Sequence, residues 1–348
     1  MANDLKDLRV LLDRLGKQKE PIQFSQLYPL SDLTAAELSE FQSQWFTLST
    51  VKRQHISRAL VELAEADFQV NFDAVFRFCL GDDDDQVRAT AVDGLWEDET
   101  VTLVGPFLSL LRSDTSALVR SAAAVALGRF VLASELAKLD ARVQARIMIE
   151  LLTTFHLSEE SIEVRRRALE SAAYACVPEA LQAIEMAYDA EDERMRLSAV
   201  IGMGRSCDRR WSAIVLAELQ STSAAMRYEA AQAAGEMAIP EAVPGLSWLL
   251  DDTDIQVRDA AIWALGQIGG EEAKQALLGE YEAADEVMRA ALDDALAEQA
   301  LASGELDLAL YVVPDDLEDA FLEDQTTVLW SADEEGDDEF GDPLALSP

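Results

Sequence analysis

The sequence predicts an all-α protein, an α-solenoid of about eight repeats, each made of two antiparallel helices. Three observations predict it. An arginine recurs at Arg53, Arg88, Arg120, Arg165, Arg196, Arg227, Arg258 and Arg289, and the last four steps are 31 residues each. A fixed period of this length marks a repeat architecture. Four residues before each arginine stands a serine or an aspartate: Ser49, Asp84, Ser116, Ser161, Asp192, Ser223, Asp254 and Asp285. Such side chains accept hydrogen bonds from the free N–H groups of a helix's first turn, so the column reads as an N-cap. Apolar residues at offsets −1, +3 and +7 from the arginine, such as Val257, Ala261 and Leu265, share one helical stripe.

The elements follow in chain order. Residues 1–16 read as an amphipathic helix with Leu5, Leu8, Leu12 and Leu15 on one side, and residues 20–33, with Pro21 and Pro29, as an extended connector. Thr34 and Glu37 form a capping box that opens the first repeat, residues 34–302 being the solenoid. Phe41, Trp45 and Phe46 then read as the cap on the end of its core. Each repeat has an earlier helix, as at Pro178–Tyr188, Trp211–Leu219 and Pro240–Leu250. Proline suits a helix's first turn, where its missing N–H costs nothing. Offset +6 is always small: Ala59, Gly94, Ala126, Ser171, Gly202, Ala233, Ala264 and Ala295. Offset +8 is Gly128, Gly204, Gly235 or Gly266 in four repeats, where it either ends the helix or admits a neighbouring backbone. Arg120 and Arg165 are 45 residues apart, and the excess predicts an insertion at about 130–160: a longer first helix and a mobile loop near His156–Ser161. Residues 305–348 hold 15 acidic residues and no basic one, which predicts a largely disordered acidic tail from 303 onward.

Composition excludes several functions. The 348 residues carry a formal charge of −38, which repels nucleic acid and anionic membranes. Apolar residues make up 49%, too many for a chain that stays unfolded throughout. The longest run without a charge, Thr100–Leu111, is 12 residues, short of the about 20 that span a bilayer. Met1–Arg9 lacks the basic head and apolar core of a secretory signal. Cys79, Cys176 and Cys207 are far apart in sequence, which fits free thiols and a cytoplasmic location.

The segment Asp254–Gly266, DIQVRDAAIWALG, resembles the short HEAT-like repeat of phycobilisome lyase subunits and many bacterial proteins. The resemblance covers roughly residues 34–302. It implies a right-handed superhelix whose second helices line the concave side. It also raises an alternative function, a subunit of a phycobilin-lyase-like enzyme or a chaperone that handles a cofactor. Another HEAT-like family, deoxyhypusine hydroxylase, binds iron through repeated His-Glu pairs. Here the two histidines, His55 and His156, are followed by isoleucine and leucine, so that activity does not carry over.

No residue is nominated for catalysis, for a cofactor or for a metal. The run Asp82–Asp85 lacks calcium-loop spacing and reads as a solvated turn. The recurring arginine reads as a structural ladder between repeats. With the stripe pointing inward, offsets −2, +2, +5 and +9 face the groove. That face offers Arg129, Arg167, Tyr174, Arg194, Ile201, Arg205 and Trp263 as a partner-binding surface, and Leu329, Trp330 and Phe340 are candidate anchors within the tail. The expected protein is a monomeric, non-enzymatic scaffold for protein–protein interaction. Its groove would take an extended or acidic partner segment, gated by its own acidic tail.

Overall fold

The computed structural model describes residues 4–303. Helix α1 is Asp4–Lys17. Eight helix pairs follow. The first four are α2 (Ala35–Trp45) with α3 (Thr50–Ala66), α4 (Asp73–Cys79) with α5 (Asp85–Gly94), α6 (Val104–Ser113) with α7 (Ala117–Glu135), and α8 (Ala141–His156) with α9 (Ile162–Ala172). The last four are α10 (Pro178–Tyr188) with α11 (Glu193–Ser206), α12 (Ser212–Glu218) with α13 (Ala224–Glu236), α14 (Val243–Leu249) with α15 (Ile255–Ile268), and α16 (Gly270–Glu280) with α17 (Glu286–Ser303). No strand occurs among the described residues. The all-α solenoid of eight pairs is therefore present as the period predicts.

The N-cap column starts the second helix of each pair. Asp84, Ser161, Asp192 and Asp254 accept from first-turn N–H groups, and Asp285 accepts from Met288 N at 2.9 Å. Ser49, Ser116 and Ser223 hold the same extended backbone without a side-chain cap. Ser116 donates instead to Asp85 of the preceding pair, 2.8 Å away. Behind each cap the stripe is buried: Val87, Val119, Val164 and Val257 at −1, the whole of +3, and Leu60, Leu95, Leu127 and Leu265 at +7. Each large apolar side chain so buried contributes about 1.5–3 kcal/mol.

Each second helix from α3 to α13 packs on the next second helix along the chain. The glycines at +8 show how closely. They lie inside α7, α11, α13 and α15, so they do not end those helices. A Cβ on Gly204 would sit 2.9 Å from Ala233 Cα, and one on Gly235 would sit 2.9 Å from Ala264 Cα. Gly128 and Gly266 meet Ser171 and Ala295 in the same way. The +8 glycine thus fits against the small +6 residue of the following repeat. Chain reversal happens later, at +11, where Cys207, Ala238 and Gly269 have φ of 48°, 46° and 68°.

Four local expectations change. The connector is not extended: Phe24–Gln26 and Tyr28–Leu30 are 3-10 turns, and Leu27 and Leu30 are fully buried. Apolar side chains with no other cover pull the chain down onto the first pair. Of the three aromatics meant as an end cap, Phe41 and Trp45 are buried, but Phe46 is 51% exposed. The insertion is shared, since α7 runs to 19 residues and α8 to 16. Its loop is pinned, because Glu160 accepts from Arg120 at 2.7 and 2.8 Å. Finally, α7 is long and apolar enough to cross a membrane by length and composition, although no charge-free run suggests it. Here it is a core helix, burying Ala123, Leu127, Phe130 and Val131, and its Arg120 is ion-paired.

Candidate functional site

The recurring arginines explain the order of the second-helix layer. Arg88 donates to both carboxylate oxygens of Asp114, each at 2.8 Å, and to the carbonyl of Asp82 at 2.8 Å. Arg120 in turn donates to the carbonyl of Asp114 at 2.7 Å. Asp114 Oδ1 also accepts from Ser116 N at 2.9 Å, shaping the turn into the next N-cap. Asp82 and Asp252 repeat the device with Arg53 and Arg88, and with Arg227 and Arg258. One aspartate therefore joins two successive arginines. Arg165, Arg196 and Arg289 bond to backbone carbonyls. The arginine column is structural, as the sequence suggests, and in three of the eight repeats an aspartate, Asp82, Asp114 or Asp252, stands six residues before the arginine, a column open to the same count. Asp82 is 3% exposed and accepts from Trp45 Nε1 at 2.6 Å, so the solvated turn expected there is in fact a buried carboxylate.

The groove residues separate into groups. On α9 and α11, Arg166 donates to Ser198 Oγ at 2.8 Å, and Ser198 Oγ donates to Glu170 at 2.6 Å. Arg167 bridges Glu163 at 2.9 Å and Glu170 at 2.8 Å. Arg205 donates to the Glu170 carbonyl at 2.8 Å and lies 4.8 Å over the ring of Tyr174. Carboxylates of α9 hold Arg166 and Arg167, while a carbonyl and a ring hold Arg205. Glu229 borders the cluster. Burial, and then the charge of Glu170, push its pKa up to about 7, with Arg205 opposing. Ile201, half-buried, shares α11 with Arg205. Arg194 is exposed and pairs with Asp192 at 2.8 Å.

Arg129 is not part of this cluster. Its guanidinium lies over Phe107 and Phe130, at 5.5 and 5.0 Å. Its Nε and Nη2 are buried without hydrogen-bond partners. Burial lowers its pKa, against the charges of Asp98, Glu99 and Asp73. Trp263 stands apart on α15, where it lines a cavity of about 270 Å³ together with Ile262, Gln267 and Asp294. The tail anchors Leu329, Trp330 and Phe340 lie outside the described residues. Among the described residues, no group of three or more His, Cys, Asp and Glu is placed to hold a metal.

A second feature escaped the sequence reading. Residues 18–22 and α3 border an open pocket of about 580 Å³. Its wall on α3 includes Val51, His55, Arg58 and Glu62, the groove offsets of the first repeat. The missed signal was available, because the same four offsets counted from Arg53 pick out these residues.

Residues 73–146 and 212–297 match the family of HEAT repeats. The chain carries HEAT repeats. Solved structures of low sequence identity align with the chain. Yeast importin-beta aligns with a TM-score of 0.50 at 15% identity, over 94% of this chain and 49% of its own. The chain thus spans about half of that HEAT-repeat protein. YibA of Escherichia coli aligns at 0.42 and 17% identity, over 68% of this chain and 95% of its own. Human deoxyhypusine hydroxylase aligns at 0.32 and 17% identity, over 86% and 97%. At that score and identity the likeness to importin-beta concerns the fold alone. No curated protein matches the chain.

Proposed function

We propose that the chain is a non-enzymatic scaffold that binds an extended segment of a partner protein along its second-helix face. The observation that carries the reading is a set of exposed apolar side chains at that face's own offsets. Leu118, Val125 and Val287 stand out from α7 and α17 where the repeat pattern allows a polar residue. A stack of repeats offers a long surface of this kind because each repeat contacts only its neighbours. Arg194, exposed on the same face, favours acidic residues in the partner. The acidic segment 305–348 would compete for the same face and act as a gate.

The test adds the peptide 305–348 to a chain ending at residue 304. Binding at low salt that is lost in the Val125→Glu/Arg194→Glu double variant supports the reading. No binding at low salt removes the gate, and binding unaffected by the double variant removes the face.

A further inference from the structure

The pocket between residues 18–22 and α3 is cationic in a chain of net charge −38. Three basic side chains, Lys19, Lys52 and Arg58, line it against two acidic ones, Glu20 and Glu62, with His55 beside them. Most arginines of the layer are occupied: Arg88, Arg120 and Arg227 hold carboxylates in two-pronged contacts, and Arg166 and Arg167 hold Glu163. The pocket cations are different. Lys52 gives one hydrogen bond to the carbonyl of Gln18 at 2.5 Å. The side chains of Lys19, His55 and Arg58 are exposed and make no hydrogen bond or ion pair with another described residue. The lining also includes apolar side chains, the exposed Pro21 and Val51, the half-buried Ile22 and the buried Ala59.

We propose that this pocket holds an acidic segment of a partner protein, with one apolar side chain against the pocket's apolar lining and its carboxylates on Lys19 and Arg58. The inference rests on the scaffold reading for the kind of ligand, and it is independent of the arginines on α9 and α11. Three features select this occupant. The volume matches sites that enclose a group of side chains, which is larger than a lone inorganic anion needs. The apolar part of the lining gives a purely ionic ligand nothing to bury, whereas an aliphatic or aromatic side chain gains about 25 cal/mol for each Å² it removes from water. Unpaired cations favour carboxylates over basic or neutral segments, and at physiological salt the repulsion from distant acids is screened beyond about 8–10 Å.

The experiment uses the full chain and a short fluorescein-labelled peptide of glutamates around a central leucine–phenylalanine pair, followed by anisotropy at low salt. The peptide should bind. The Lys19→Glu/Arg58→Glu double variant should weaken binding at least about tenfold, as loss of complementary charge at a binding rim does. Both substituted residues are exposed, and an unchanged circular dichroism spectrum confirms that the variant folds. Replacing the leucine–phenylalanine pair with serines should also weaken binding. Binding that survives the double variant overturns the proposal, and so does equal binding of the serine peptide or full displacement by inorganic phosphate. Loss of binding only in Val125→Glu/Arg194→Glu overturns the pocket and leaves the face reading standing. Loss only in Lys19→Glu/Arg58→Glu supports the pocket. No binding to the unaltered chain overturns the pocket alone, because the face is tested separately with the 305–348 peptide.

Discussion

Ala238 ends α13 with φ at 46°, a left-handed conformation that crowds a Cβ. Its N–H bonds to Gly235 O at 2.9 Å, and Ile239 N bonds to Ala234 O at 3.0 Å, the paired bonds of a helix stop that usually uses glycine. One repeat later the equivalent residue is Gly269. Ala238→Gly should therefore stabilise the chain by about 1 kcal/mol in urea denaturation, because the relieved strain exceeds glycine's added freedom in the unfolded chain. Glu229 gives the second prediction at this scale. With its pKa raised to about 7 by burial, the folded chain keeps a proton that the unfolded chain has already released. Stability from this group is complete below the ordinary glutamate range and is lost as pH rises to about 7. Glu229→Gln should remove that slope and leave the variant about 2 kcal/mol more stable than the parent above neutral pH. Thermal melts across this pH range decide it, and equal slopes would refute the assignment.

Between elements, two devices hold neighbouring second helices together, and they are open to separate tests. The first is close approach. Gly235→Ala adds a methyl group 2.9 Å from Ala264 Cα and crowds the ring of Trp263. Alanine favours a helix by up to about 1 kcal/mol over glycine, yet overpacking against backbone costs about 1–3 kcal/mol. The net effect should be a loss of stability, and a gain would mean that the helices are less tightly seated. The second device is the shared aspartate. Asp114→Ala strips Arg88 of its carboxylate and Ser116 N of its acceptor, so the loss should be about 2–3 kcal/mol. Asp254→Ala removes an ordinary N-cap and should cost only about 1 kcal/mol. Chemical denaturation of the two variants side by side measures that difference.

Across the described chain the apolar core forms two clusters. One runs from Leu8 to Ala180, and the other from Phe155 to Ala295. Both include residues of α9, which gives Ala168 to the first and Leu169 to the second. The Arg166–Ser198–Glu170 network lies at the same helix and buries two charged side chains and a hydroxyl at that junction. Repeat arrays are stabilised by nearest-neighbour contacts, so a polar junction is a natural boundary between cooperative units. Hydrogen exchange should show two protection blocks that meet at α9. A single block of uniform protection from α2 to α15 would contradict this.

The sequence by itself determined the architecture. Period, N-cap column and buried stripe are local consequences of helix geometry, so counting from Arg53 to Arg289 was enough to place eight helix pairs and their core residues. It also identified a face holding Arg167, Tyr174, Arg194 and Arg205. Only the tertiary structure decided what those cations meet. Arg166 of α9 reached Ser198 of α11, Arg205 of α11 reached the Glu170 carbonyl of α9, and Phe107 of α6 took Arg129 of α7 away from the cluster. Such contacts join different helices, and nothing in a helical period states which of them a flexible guanidinium will reach. The Arg167 pairs with Glu163 and Glu170, by contrast, lie within α9 at i,i+4 and i,i+3 spacing and were open to the same count. The same limit hid the pocket at Lys19 and Arg58. One wall comes from a connector that reads as extended, and only its collapse onto α3 through Leu27 and Leu30 brings the two walls together.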